Sequence, residues 1–256
     1  MDATNLTPLL IAVAKKDAEM VRCLIHAAAD VDRPDGHGIT PLWVASARGY
    51  VEIVECLVRG GASKDKKDAP EGVTPLWAAA ARGHLEVVKC LVEAGAAKEE
   101  GDWNGGTPLF AAAAEGHVHV IEYLIGAGAA VNDQTNGARL TPLLNACVRG
   151  NTDAVRCLLR AGADKELADG AGVTPLWAAA ARGHAPIVQC LLAEGVGLDE
   201  ASCQEAAARG HSEVVQLFRD AGVSVREPEP AEGDDREDRR SPDPSMEQPC
   251  KRPRHA

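Results

Sequence analysis

The chain has 256 residues, of which 45% are hydrophobic, 25% charged and only 3% aromatic, with 27 Lys and Arg against 38 Asp and Glu for a formal net charge of -11. So few aromatics exclude an ordinary interior built on Phe and Trp; the apolar weight rests on Ala, Leu and Val, which suits closely packed helices. The acidic total excludes a general nucleic-acid or anionic-membrane binder, whose affinity comes from counterions released by Lys and Arg.

The first apolar run, Leu9 to Ala14, has no basic region before it and is far short of the ~20 residues that span a bilayer. No leader or membrane anchor is therefore expected, and the expected location is cytoplasmic, with the nucleus as an alternative. In a reducing compartment the eight cysteines need a reason other than a disulfide framework.

Six units follow one another in register. Thr-Pro pairs begin at Thr7, Thr40, Thr74, Thr107, Thr141 and Thr174, at separations of 33 or 34 residues. After each Thr-Pro-Leu comes an apolar, mostly Ala-rich stretch. From the second unit on, a Gly closes it nine residues after the Thr (Gly49, Gly83, Gly116, Gly150, Gly183), and a second Gly ends the next apolar stretch (Gly61, Gly95, Gly128, Gly162, Gly195). Thr is a good N-cap, Pro is tolerated at the first helical position, and Gly accepts the left-handed conformation that ends a helix. Each unit therefore reads as helix, turn, helix, turn. In the third, the helices are predicted over Pro75 to Arg82 and Leu85 to Ala94, with Val87, Val88, Leu91 and Val92 forming one buried stripe. Isolated helices of about ten residues are marginal in water, so stacking on adjacent units must complete the core.

A seventh unit is altered. Ala206 to His211 matches Ala79 to His84, which places Ala201 at the Thr position, only 27 residues after Thr174. The loop and the Thr-Pro cap are gone. Glu205 and Arg219 stand where the third unit has Ala78 and Val92, as an end unit facing water requires.

The period, Thr-Pro-Leu, the Ala-rich helix, Gly-His and the closing Ala-Gly-Ala resemble the ankyrin repeat family. The resemblance covers residues 3–225 and implies an all-α fold: an ankyrin-type solenoid of stacked helix-turn-helix repeats with β-turn loops. One departure recurs. Where the family carries His after Thr-Pro-Leu, this chain has Trp43, Trp77, Phe110 and Trp177, with Leu10 and Leu144 in the other units. Packing against the preceding loop is expected to replace the hydrogen bond of that His.

From residue 226 to 256 the composition shifts to Pro, Glu, Asp and Arg without apolar periodicity, so a disordered tail is expected. Within it, Arg239 and Arg240 followed by Lys251, Arg252 and Arg254 resemble a two-part nuclear import signal, and Ser241-Pro242 adjoins the first cluster as a candidate phosphorylation site.

Candidates for chemistry reduce to repeat positions. Cys23, Cys56, Cys90, Cys157 and Cys190 share one offset on the second helices. Packed helices lie ~8–10 Å apart, too far for a disulfide between neighbours or for four zinc ligands around one point. These are expected to be buried apolar positions; Cys147 and Cys203 read as packing in first helices, and Cys250 as freely reactive. His84, His117, His184 and His211 share the offset after the closing Gly and read as turn residues, so His117 with His119 is not taken as a metal pair. No catalytic constellation stands out, and no activity, metal or cofactor is expected.

The residue eight after each Thr is more informative: Lys15, Arg48, Arg82, Glu115, Arg149, Arg182 and, by alignment, Arg209. A cation near a helix C-terminus complements the dipole by a few tenths of a kcal/mol. The resemblance places this offset on the concave, partner-facing surface, where it would draw a positive stripe broken by Glu115. Loop tips are the other contact region, and only Trp103 stands out there, either as an interface anchor or packed on the neighbouring loop. The expected function is thus a monomeric adaptor that binds a protein partner, favouring acidic segments. The alternative is a nuclear-shuttling regulator of transcription factors. Gly72 to His84 recurs unchanged as Gly172 to His184, a mark of internal duplication.

Overall fold

The computed structural model describes residues 6–68 and 71–223. They form fourteen helices in seven pairs and no strand. The first members of the pairs are α1 (Pro8–Ala14), α3 (Pro41–Ala47), α5 (Pro75–Ala81), α7 (Pro108–Glu115), α9 (Pro142–Arg149), α11 (Pro175–Ala181) and α13 (Glu200–Ala208). The second members are α2 (Ala18–His26), α4 (Val51–Arg59), α6 (Leu85–Glu93), α8 (Val118–Gly126), α10 (Thr152–Arg160), α12 (Ala185–Ala193) and α14 (Ser212–Asp220).

Caps fix where each pair begins. The side-chain oxygens of Thr7, Thr40, Thr74, Thr107, Thr141 and Thr174 accept the amide three residues on, at 3.0 to 3.3 Å. This satisfies one of the unpaired donors of the first turn. The seventh pair keeps a cap despite losing its Thr, because Asp199 accepts from the Ser202 amide and hydroxyl and starts α13 at Glu200.

The two layers pack differently. Odd helices carry Ala78, Ala79, Ala80, Ala112, Ala113, Ala179 and Ala180, all buried, and lie closer to one another than the even helices do. Even helices meet through larger side chains such as Ile53, Leu57, Leu91, Ile121, Leu124, Leu158 and Leu191, also buried. A stack whose one layer is spaced more tightly bends towards it, so the odd layer is the inner, concave one.

Three sets of polar joints tie neighbouring units together. At the first, a side chain from the following unit lies over the glycine that closes the odd helix. His84 covers Gly49, His117 covers Gly83, Asn151 covers Gly116, His184 covers Gly150 and His211 covers Gly183. The imidazole Nε2 of His84, His117 and His211 donates to the carbonyls of Ala47, Ala81 and Ala181 at 3.1 to 3.2 Å. Asn151 donates to those of Ala113 and Ala114. Glycine is needed twice over: Gly83 has φ +73, and a Cβ there would lie 2.6 Å from Nδ1 of His117. The first unit departs from this pattern, with Lys16 at φ 57 in the glycine's place and its ammonium 5.4 Å from the ring centre of Tyr50.

At the second joint, Asp32, Asp65, Glu99, Asn132 and Glu166 accept the amides of Ser63, Ala97, Ala130, Asp164 and Gly197, one unit ahead, at 2.8 to 3.0 Å. At the third, the loop tips bond backbone to backbone: Trp103 N–H to the Glu71 carbonyl, Gly137 N–H to Asn104 and Gly170 N–H to Ala138. Inside each loop a carboxylate or amide closes the turn. Asp35, Asp102 and Asp169 each accept two amides of their own loop, Asp68 accepts that of Val73 and Asn136 that of Leu140. Much of the chain's acidic content is therefore engaged with loop backbone.

Residues 226–256 lie outside the described residues. The expected disordered tail, Arg239, Arg240, Lys251, Arg252 and Arg254, Ser241-Pro242 and Cys250 all fall there.

Candidate functional site

The inner layer brings the repeated cations to corresponding places. Lys15, Arg48, Arg82, Arg182 and Arg209 are the C-cap residues of α1, α3, α5, α11 and α13. Glu115 and Arg149 are the last residues of α7 and α9. All seven side chains are exposed. Each follows a helix of only seven to nine residues, so the row advances by one inner-helix spacing per unit.

What the seven contact differs along the row. Arg48 reaches the Ala14 carbonyl at 3.4 Å. Arg82 lies 5.6 Å from the ring centre of Trp43 and also contacts the Ala78 carbonyl. Arg209 is paired with Glu205 at 2.6 Å. Lys15, Arg149 and Arg182 have no ion-pair partner among the described residues, and Glu115 separates Arg82 from Arg149.

Three cations of the outer layer are paired. Arg22 pairs with Glu52 at 2.9 Å, Arg59 with Glu55 at 2.6 Å and Lys89 with Glu86 at 2.8 Å. Hydrogen bonds donated to Glu52 and Glu86 raise the pKa of Arg22 and Lys89 above their ordinary values. The inner layer thus carries an exposed row of cations that a net charge of -11 does not reveal, while Arg156 and Arg160 of α10 have no ion-pair partner among the described residues either.

Beside the cations runs the aromatic row, Trp43, Trp77, Phe110 and Trp177, all half-buried. The Trp77 indole donates to the Gly106 carbonyl at 2.8 Å, in the loop of the next unit. This corrects the expectation of apolar packing against the preceding loop: at that position a hydrogen bond survives, in the forward direction. The Trp43 indole N–H is buried with no acceptor among the described residues.

Trp103 packs on the neighbouring loop and is still largely exposed. Its side chain is 64% exposed, yet the ring lies so close over Gly72 that a Cβ there would sit 2.2 Å from Cδ2. The Lys67 ammonium, itself paired with Glu100 at 2.8 Å, is 5.3 Å from the ring centre.

The cysteine column is less uniformly buried than expected. Cys56 and Cys157 are buried, Cys90 and Cys190 half-buried, and Cys23, in the first helix pair, exposed. All seven described cysteines are free. Burial pushes the thiols of Cys90, Cys157 and Cys203 up, and that of fully enclosed Cys147 furthest. Raised thiols are poor nucleophiles. Among the described residues no three His, Cys, Asp or Glu side chains are grouped to hold a metal ion. Nor is any helix there long and apolar enough to cross a membrane.

A family model of ankyrin repeats in three copies matches residues 1–68, 57–135, 128–201 and 143–229. The chain belongs to the ankyrin repeat family. Ankyrin repeats are general protein–protein interaction modules, and the fold is known as a non-enzymatic binding scaffold. Among solved structures, the human ASB11 ankyrin repeat domain superposes with a TM-score of 0.75 at 24% identity, over 83% of this chain and 98% of that one. At that identity the likeness speaks for the fold alone. No curated protein matches the sequence.

Proposed function

We propose that this ankyrin repeat protein is an adaptor whose concave face binds an acidic segment of a partner protein. The observation that carries the reading is the exposed row of cations on the inner layer, interrupted by Glu115, in which Lys15, Arg149 and Arg182 have no ion-pair partner among the described residues. Opposite charge on a partner would steer the encounter and set its register, and salt would weaken it. The alanine floor leaves room for a segment to lie along the groove, and Glu115 marks the place where an acidic residue is disfavoured.

The test replaces Arg82, Arg149 and Arg182 with Glu and follows binding of a fluorescent peptide rich in Glu and Leu by anisotropy. The unaltered protein should bind with an affinity that falls as salt rises, and the triple variant should lose at least about tenfold, a few charge-assisted contacts being at stake. Equal affinity for both proteins refutes the reading. Proximity labelling in cells followed by crosslink mapping then identifies the natural partner and the face it uses. For nuclear shuttling, carried by the basic clusters from Arg239 to Arg254, the check is whether removing residues 239–256 alters the distribution of the tagged protein.

A further inference from the structure

The thirteen residues Gly72–His84 and Gly172–His184 are identical, so any difference in what surrounds them comes from their neighbours alone. The first copy is covered by the loop Asp102–Gly106. Trp103 N–H donates to the Glu71 carbonyl at 3.1 Å, the Trp103 ring lies flat on Gly72, and the Gly106 carbonyl accepts from the Trp77 indole at 2.8 Å. Asp102 holds that loop in shape by accepting the amides of Asn104 and Gly106 at 2.9 Å. Gly72, Val73 and Thr74 are buried as a result.

Among the described residues the second copy has no such cover, because the seventh unit lacks the loop. The Ala171 carbonyl, equivalent to that of Glu71, accepts no hydrogen bond among the described residues. Nothing lies within 4 Å of a Cβ placed on Gly172, which keeps the same left-handed backbone, φ +82 against +67. The Trp177 indole has no acceptor among the described residues. Gly172 is exposed and Val173 and Thr174 only half-buried. In the short connection that stands in for the loop, Leu198 is 47% exposed. The backbone ladder running from Glu71 through Asn104 and Ala138 thus ends on an open rung.

We propose that this seat, formed by Ala171, Gly172 and Trp177, binds a β-turn of a partner protein that carries an aromatic residue behind an Asp, in the manner of Asp-Trp-Asn-Gly-Gly. The first copy defines the occupant. An aromatic residue supplies an N–H to the Ala171 carbonyl and a ring to the bare face of Gly172, and the carbonyl three residues later accepts from Trp177. Only glycine lets the ring approach so closely, and the duplicated sequence retains it. The seat lies at the loop end of the sixth unit and does not use the cation row, so its fate is independent of the function proposed for the concave face.

The test titrates the full chain, labelled with nitrogen-15, with the head-to-tail cyclised peptide Gly-Asp-Trp-Asn-Gly-Gly, a copy of residues 101–106. Saturable shifts are expected at the Trp177 indole and the Gly172 and Val173 amides, with the Trp77 indole unmoved because its seat is filled. A peptide with Ala in place of Trp should bind at least about tenfold more weakly, since the ring supplies most of the contact. Trp177→Leu places at that position the residue that Leu10 and Leu144 already provide in other units. It should fold normally and weaken binding up to about tenfold, as loss of one hydrogen bond and ring contact predicts. Absence of saturable shifts at the Trp177 indole overturns the assignment, as do equal shifts at Trp77. Shifts that grow with protein concentration without peptide would mean that a second copy fills the seat, and also overturn it.

Discussion

The two ends of the array close in opposite ways. At the start, Leu6, Ile11 and Met20 are 53%, 42% and 49% exposed, although the positions matching Met20 in the other units, Ile53, Val87, Val120, Ala154, Ile187 and Val214, are all buried. At the finish, the outward side chains of α13 and α14 are polar and paired within their own helices, Gln204 with Glu200, Arg209 with Glu205 and Gln216 with Asp220. The first unit also lacks both turn glycines, holding Lys16 and Ala28 at φ 57 and 60 instead. It carries the apolar pattern of an interior unit with poorer turns, whereas the last has a surface made for water. Among the described residues, only the last unit has a surface altered to face water.

The contrast breaks most sharply in the core. Phe218 is fully buried in α14, while Leu24, its counterpart in α2, is half-buried. Phe218→Ala should cost about 3–5 kcal/mol and Leu24→Ala about 1–2, measured as shifts in guanidinium denaturation. Equal costs would mean that the ends are alike in energy despite their difference in packing.

A second pair isolates what a following unit adds to a turn. Gly83 and Gly210 share the left-handed backbone, φ +73 and +78, but only Gly83 has a histidine upon it. Gly210→Ala should cost about 1 kcal/mol for the backbone alone. Gly83→Ala should cost about 2–3 kcal/mol, because His117 must move and weaken its bond to Ala81.

Smaller effects sharpen the picture of the first unit. Ala28→Gly relieves a left-handed alanine and should raise stability by about 0.5–1 kcal/mol. Met20→Gln should change stability by less than about 0.5 kcal/mol, since half of that side chain already faces solvent. A large loss from Met20→Gln would show that the starting end is covered in solution.

The repeat period, the Thr caps, the helix limits and the cation row were all legible in the sequence, because each depends on residues close together in the chain. The second helix of the third unit runs from Leu85 with Ala94 as its C-cap, within one residue of the reading. What escaped notice depends on distance. The acceptors Asp32, Asp65, Glu99, Asn132 and Glu166 vary in type and lie in loops, and their partners are about one unit away. A period search that includes polar loop positions would have found the column, though not its partners. The open place around Trp177 escaped for a related reason: it follows from the loop that the seventh unit lacks, and a residue's own offset does not record that.

The joints between units have a bearing on inheritance. Each is made by chemistry that the interior units present in similar form at their leading and trailing sides: a glycine under a ring or amide, an oxygen facing an amide, a carbonyl facing an N–H. A cassette of one period spliced between two others meets on both sides the groups that it would have met in its old place. Array length can thus change by whole units with no new joint to invent, and the identical Gly72–His84 and Gly172–His184 segments are the trace such an event leaves.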